Sequence, residues 1–162
     1  AGVYRQRYTL AEASDRSVSF VEDGGAVLLG DAYATLGDVD SANLVSLTVT
    51  ITNLQNGAAE SLAFSTAGTA ITGNYNAGSG VLTLGGSDTA AHYQQVLRTI
   101  SYNNTAQAPG TTARVVTFVA NDGTSNSNVA TATVAVSAVN DAPLLDNAGT
   151  MTRLTSNLDL LP

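Results

Sequence analysis

The chain has 162 residues, enough for one ordinary domain with some tail, and a core that needs no staple is feasible at this size. It has no cysteine, no tryptophan, no lysine and a single histidine, which removes disulfides, thiolate zinc sites, Schiff bases, phosphate-binding P-loops and Lys–Asn crosslinks. A formal charge of −7 opposes nucleic acid and anionic membranes as partners and suits divalent cations or plain solubility.

Residues 1–15 show no clear core pattern beyond Val3, Tyr4, Tyr8 and Leu10, and are expected to be an arm or the remnant of a preceding element. The opening AGVYRQRYTL lacks the apolar stretch of a secretory leader, and no run in the chain approaches the roughly 18 apolar residues of a membrane helix. From residue 16 onward the dominant signal is period two. Val18 and Phe20 point inward from a strand over 16–22, and a short strand follows at 26–30. In 44–52, Leu47, Val49 and Ile51 alternate with Thr48, Thr50 and Thr52, a half-buried strand that ends in an Asn56-Gly57 turn. Strands at 60–65 and 81–84 come next.

Residues 87–97 (SDTAAHYQQVL) break the alternation. Ala90, Tyr93 and Val96 or Leu97 recur at helical spacing, with Ser87 or Asp88 as N-cap, so a short helix spans two sheets. Strands at 98–103, 113–120 and 127–138 complete the set, the last with Ala130, Ala132, Val134 and Val136 on one face. Turns rich in Gly, Asn and Asp at this spacing give an all-β antiparallel sandwich of about seven strands with one short helix. The sandwich occupies 16–143, and 144–162 is a tail or the start of a following element.

Acidic residues fall at four expected turns: Glu22 and Asp23, Asp38 and Asp40, Asp122, and Asn140 with Asp141. Tracing strand directions puts Asp38, Asp40 and Asp122 at one end and Glu22, Asp23, Asn140 and Asp141 at the other. Hard oxygen ligands on glycine-rich loops are what calcium needs, 6–8 oxygens at about 2.3–2.6 Å. The same residues are also default turn formers, whose side chains cap loops with no metal present.

The stretches VSFVEDGGAVLL, DVDSANL, LRTISYNNT, VTFVANDGTSNSN and AVNDAP, taken together, resemble the cadherin-like repeats of giant bacterial secreted (RTX-type) adhesins over residues 16–145. The resemblance implies an Ig/cadherin-like Greek-key sandwich, repeated in tandem, outside the cell, with Ca2+ at the junctions and neighbouring repeats or copies of itself as partners. By position it makes Asp38 and Asp40 the Asp-x-Asp pair, and Asp122 the acid of the last hairpin at that end. Glu22 or Asp23 matches the acid near the first strand, and Asn140 with Asp141 the linker. Two departures stand out: no Asn-Asp-x-Pro linker precedes residue 16, and NNTAQAPG lacks the acidic pair that animal cadherins carry before their sixth strand.

The remaining candidates are weaker. His92 lies on the polar side of the expected helix with no nearby acid in sequence, which fits a solvated histidine. Tyr93 and Tyr102 suit a core, and Tyr33 and Tyr75 suit loop covers, with a tyrosine platform for cell-surface glycan as the other reading. No Gly-x-Ser-x-Gly elbow occurs, and two aspartates on one short loop do not flank a sugar, so no enzyme is expected. Terminal arms that add a strand to a neighbour's open edge would make the chain a filament subunit.

Overall fold

The computed structural model describes residues 15–141. Expectations for the N-terminal arm and for the tail after Pro143 lie outside the described residues. Nine strands and one helix follow in chain order: β1 (Asp15–Val21), β2 (Val27–Leu28), β3 (Asn43–Ile51), β4 (Glu60–Ala63), β5 (Thr72–Asn76), β6 (Val81–Thr89), α1 (Ala90–Leu97), β7 (Ser101–Asn104), β8 (Arg114–Asn121) and β9 (Ala130–Ser137). They form a six-stranded sheet, β1-β9-β8-β3-β6-β5, and a three-stranded sheet, β2-β7-β4.

The alternation in sequence becomes burial directly. Leu47, Val49 and Ile51 of β3 and Val116 and Phe118 of β8 are buried, in one core with Leu62 and Tyr102 of the other sheet and Leu29 just after β2. Phe20 stands edge-on to Tyr102, ring centres 5.5 Å apart, joining the two layers. Burial, with the charge of Glu60 adding to it, pushes the Tyr102 phenol up to about 12.

Three details differ from the expectation. β1 pairs with β9 in parallel (Val18 opposite Val134), so the large sheet is mixed rather than antiparallel. β5 is an additional strand: its sequence TGNYN is polar and holds a glycine, yet Gly73 is required, because a Cβ there would lie 2.5 Å from the Phe64 ring. β6 runs on to Thr89 through Gly85 and Gly86, beyond the expected end at 84.

The helix buries Tyr93, Val96 and Leu97, and links the end of the large sheet to the small one. Its N-cap is Thr89, whose hydroxyl accepts from His92 N at 3.2 Å, not Ser87 or Asp88.

At the end of the sandwich where β3 finishes and β8 begins, Arg114 and Glu60 are both fully buried. Arg114 Nε and Nη2 donate to Glu60 Oε1 at 3.0 and 2.8 Å, and the Gln55 and Asn56 amides donate to the same oxygen. Arg114 Nη1 donates to the carbonyls of Gly110 and Thr112. A charge taken out of water on both sides is held by geometry, so losing one partner strands the other. Arg114→Met should lower stability by about 3–5 kcal/mol in urea unfolding. The double variant Glu60→Gln/Arg114→Met should lose clearly less, because no unpaired charge remains buried.

Candidate metal centre

Asp122 lies in the hairpin between β8 and β9, and Asp38 and Asp40 lie in the loop that enters β3. Antiparallel pairing of β3 with β8, Ser46 opposite Asn121, brings these two loops to the same end of the large sheet. The three carboxylates each offer an oxygen, and those oxygens lie within 4.8 Å of one another. The grouping expected from strand directions is therefore present, from positions more than 80 residues apart in sequence.

Each aspartate also shapes its own loop. Asp38 Oδ1 accepts from Asp40 N at 3.1 Å. Asp122 Oδ1 accepts from Thr124 N and Ser125 N at 2.7 and 2.6 Å, and Asp122 Oδ2 accepts from the Ser41 hydroxyl at 3.4 Å. Gly123, at φ +99, supplies the left-handed residue that tightens the hairpin. The turn-forming role and the clustering thus coexist. What the turn role leaves over is Asp38 Oδ2, which is shut off from solvent and accepts from no donor.

The cluster carries an electrostatic cost. A hydrogen bond to Asp38, available only to the protonated form, holds the Asp40 carboxyl above the usual aspartate range; partial desolvation and the charges of Asp38 and Asp122 act the same way. A carboxyl whose folded value lies above its unfolded one contributes stability when protonated. That contribution is lost as pH rises through the raised value, so at neutral pH the ionised cluster is a site of unrelieved repulsion.

The other four residues do not form a matching group. Glu22 is 3% exposed, and its Oε2 accepts from Val139 N at 2.7 Å, tying the β1 end to the segment after β9. Glu22 Oε1 is buried without a donor. Asp23 adopts the left-handed conformation at φ +59 and borders an open hollow of about 310 Å3, which Asn103, Asn104 and Thr105 also line. Asn140 and Asp141 are exposed. Among the described residues, Asp38, Asp40 and Asp122 are the one group of three or more acids or histidines close enough to share an ion.

One pair was not anticipated. His92 does have an acid beside it: Asp88, four residues earlier, places Oδ1 2.6 Å from His92 Nδ1. The i, i+4 spacing across a helix start was the available signal. Amide donation from Ala70 foremost, then from Thr89, with the His92 contact, holds the Asp88 carboxyl below the usual range. Among the described tyrosines, Tyr93 and Tyr102 are core, Tyr75 donates to the Glu60 carbonyl, and Tyr33 is 86% exposed.

No family model, curated protein or solved structure matches the chain.

A carbon-13 titration of the aspartate carboxyls should place the Asp40 midpoint above the range of ordinary aspartates. Asp38→Asn, which replaces the charge beside it by an amide donor, should bring that midpoint down.

Proposed function

We propose that the chain is a non-enzymatic, extracellular calcium-binding module of cadherin-like Greek-key type, a structural or adhesive repeat of a bacterial surface protein. Asp38, Asp40 and Asp122 are the metal ligands in this reading, and a cation there stiffens one end of the sandwich. The observation that supports it best is the convergence of three carboxylates with oxygens within 4.8 Å. Two oxygens bound to one ion at about 2.4 Å lie at most about 4.8 Å apart, so a single calcium could touch all three. A cation would relieve both the buried, donorless Asp38 Oδ2 and the raised Asp40 carboxyl at a pH where Asp40 is ionised. At the opposite end, Glu22, Asp23, Asn140 and Asp141 would need further oxygens from a neighbouring repeat to complete a site.

Calorimetry with calcium and with EDTA tests the reading. An ion that binds only the folded chain stabilises it by about 2.7 kcal/mol at a hundred times its dissociation constant, so the melting temperature should rise with calcium. The gain should shrink as pH falls far enough to protonate Asp40. Asp40→Asn should remove most of it; this is a better variant than one at Asp122, whose carboxylate also caps the hairpin. Identical transitions in calcium and in EDTA would refute calcium binding at this end.

A further inference from the structure

Within residues 15–141 ten acids stand against three arginines, and each arginine has its own partner outside the three-aspartate cluster. Arg114 is buried against Glu60, Arg16 pairs with Asp31, and Arg98 Nε donates to the Ala34 carbonyl at 3.0 Å. The chain's other arginines flank the sandwich. Residues 1–14 hold Arg5 and Arg7 against Glu12 alone, a net charge of +1, whereas residues 142–162 hold Arg153 against Asp146 and Asp159. Only the segment before β1 is therefore opposite in sign to the acidic body. Chain direction also delivers it to the right end. β1 runs parallel to β9 with Asp15 opposite Thr131, so residue 14 joins the sheet where β9 begins. The hairpin carrying Asp122 and the loop carrying Asp38 and Asp40 share that end. The tail departs after Ser137, at the other one.

We propose that residues 1–14 dock across this end of the sandwich, with Arg5 and Arg7 against the carboxylates of Asp38, Asp40 and Asp122, and that calcium must displace them. Reach is ample. Arg7 is eight residues before Asp15, up to about 26 Å of extended chain, and the two loops lie two to three strand spacings from β1, about 10–14 Å. Residues two apart share one side of an extended segment, so Arg5 and Arg7 present their guanidinium groups together. Each guanidinium brings a planar fork of donors matched to carboxylates, and Asp38 Oδ2 is an acceptor with no donor. A tether this short holds the arginines at an effective concentration near millimolar, which makes individually weak ion pairs count. The segment is then a built-in competitor: the affinity measured for the ion falls in proportion to the fraction of molecules with the cluster uncovered. The competition rests on the calcium-binding reading of this cluster; the docking does not.

Because the chain has no cysteine, Gln6→Cys carries a single spin label between the two arginines. In EDTA the label should broaden the amide signals of Ser41, Gly123 and Thr124, and leave those of Asn103 and Thr105, at the opposite end, sharp. High salt should reduce the broadening, and saturating calcium should remove it. Adding Arg5→Gln and Arg7→Gln to the labelled chain should abolish it. In the unlabelled chain the same two substitutions should raise calcium affinity about three- to tenfold in titration calorimetry, the scale of one or two exposed ion pairs. Arg153→Gln should change neither readout, and melting curves check that every variant is folded. A label in EDTA that leaves the Ser41, Gly123 and Thr124 signals sharp overturns the docking, as does broadening that survives loss of both arginines. Calcium affinity that is the same with and without the arginines overturns the competition. Broadening in EDTA by a chain that binds no calcium in any variant supports the docking and refutes the calcium reading alone.

Discussion

The pairing of β3 with β8 is the constraint on which the candidate centre depends. β3 is hydrogen-bonded on both edges, to β6 and to β8, so it cannot slip along either neighbour without exposing Leu47, Val49 and Ile51. That fixed register decides which loops meet. The loop before β3 and the hairpin after β8 are joined at one end of the sandwich because Ser46 faces Asn121. The proximity of Asp38 and Asp40 to Asp122 is thus a property of the sheet before it is a property of the loops.

Negative charge in this chain is concentrated rather than spread. Asp38, Asp40 and Asp122 converge in end loops, Glu60 is buried against Arg114, Asp88 lies beside His92, and Asp31 pairs with Arg16. Placing charge in this way has two opposite effects. Where carboxylates converge they repel one another and favour a cation, and where a cationic side chain faces a carboxylate the pair holds itself. The two Glu side chains facing the interior resolve their burial differently: Glu60 gathers a guanidinium and two amides, whereas Glu22 gathers a single amide from the segment after β9.

Much of this was legible in the sequence where a strand has one wet face. The strands at 44–52, 113–120 and 127–138 announce themselves because Thr and Val alternate there, and their directions alone predicted that Asp38, Asp40 and Asp122 would share an end. β5 was not legible, since TGNYN has neither alternation nor bulk, and its place comes from Phe64 packing over Gly73. The Glu60–Arg114 pair was hidden for a different reason. Each residue reads as an ordinary charged strand terminus, and only the closure of two sheets shows that both face inward. The parallel pairing of β1 with β9 likewise leaves no local mark.

Arg114 and its neighbours also bear on how the protein ages. Asn-Gly sequences are chemically fragile, because the glycine nitrogen can attack the asparagine amide carbon and expel ammonia, closing a succinimide that water then opens to an isoaspartate link. Asn56 precedes Gly57, but its Oδ1 accepts from Asn104 Nδ2, Gly110 N and Arg114 Nη2 at 3.0, 3.1 and 2.8 Å. A side chain held from three directions cannot swing onto the following nitrogen. Damage at this dipeptide therefore requires that end of the sandwich to open first, so isoaspartate accumulating at position 56 is a chemical record of how often the buried guanidinium has let go.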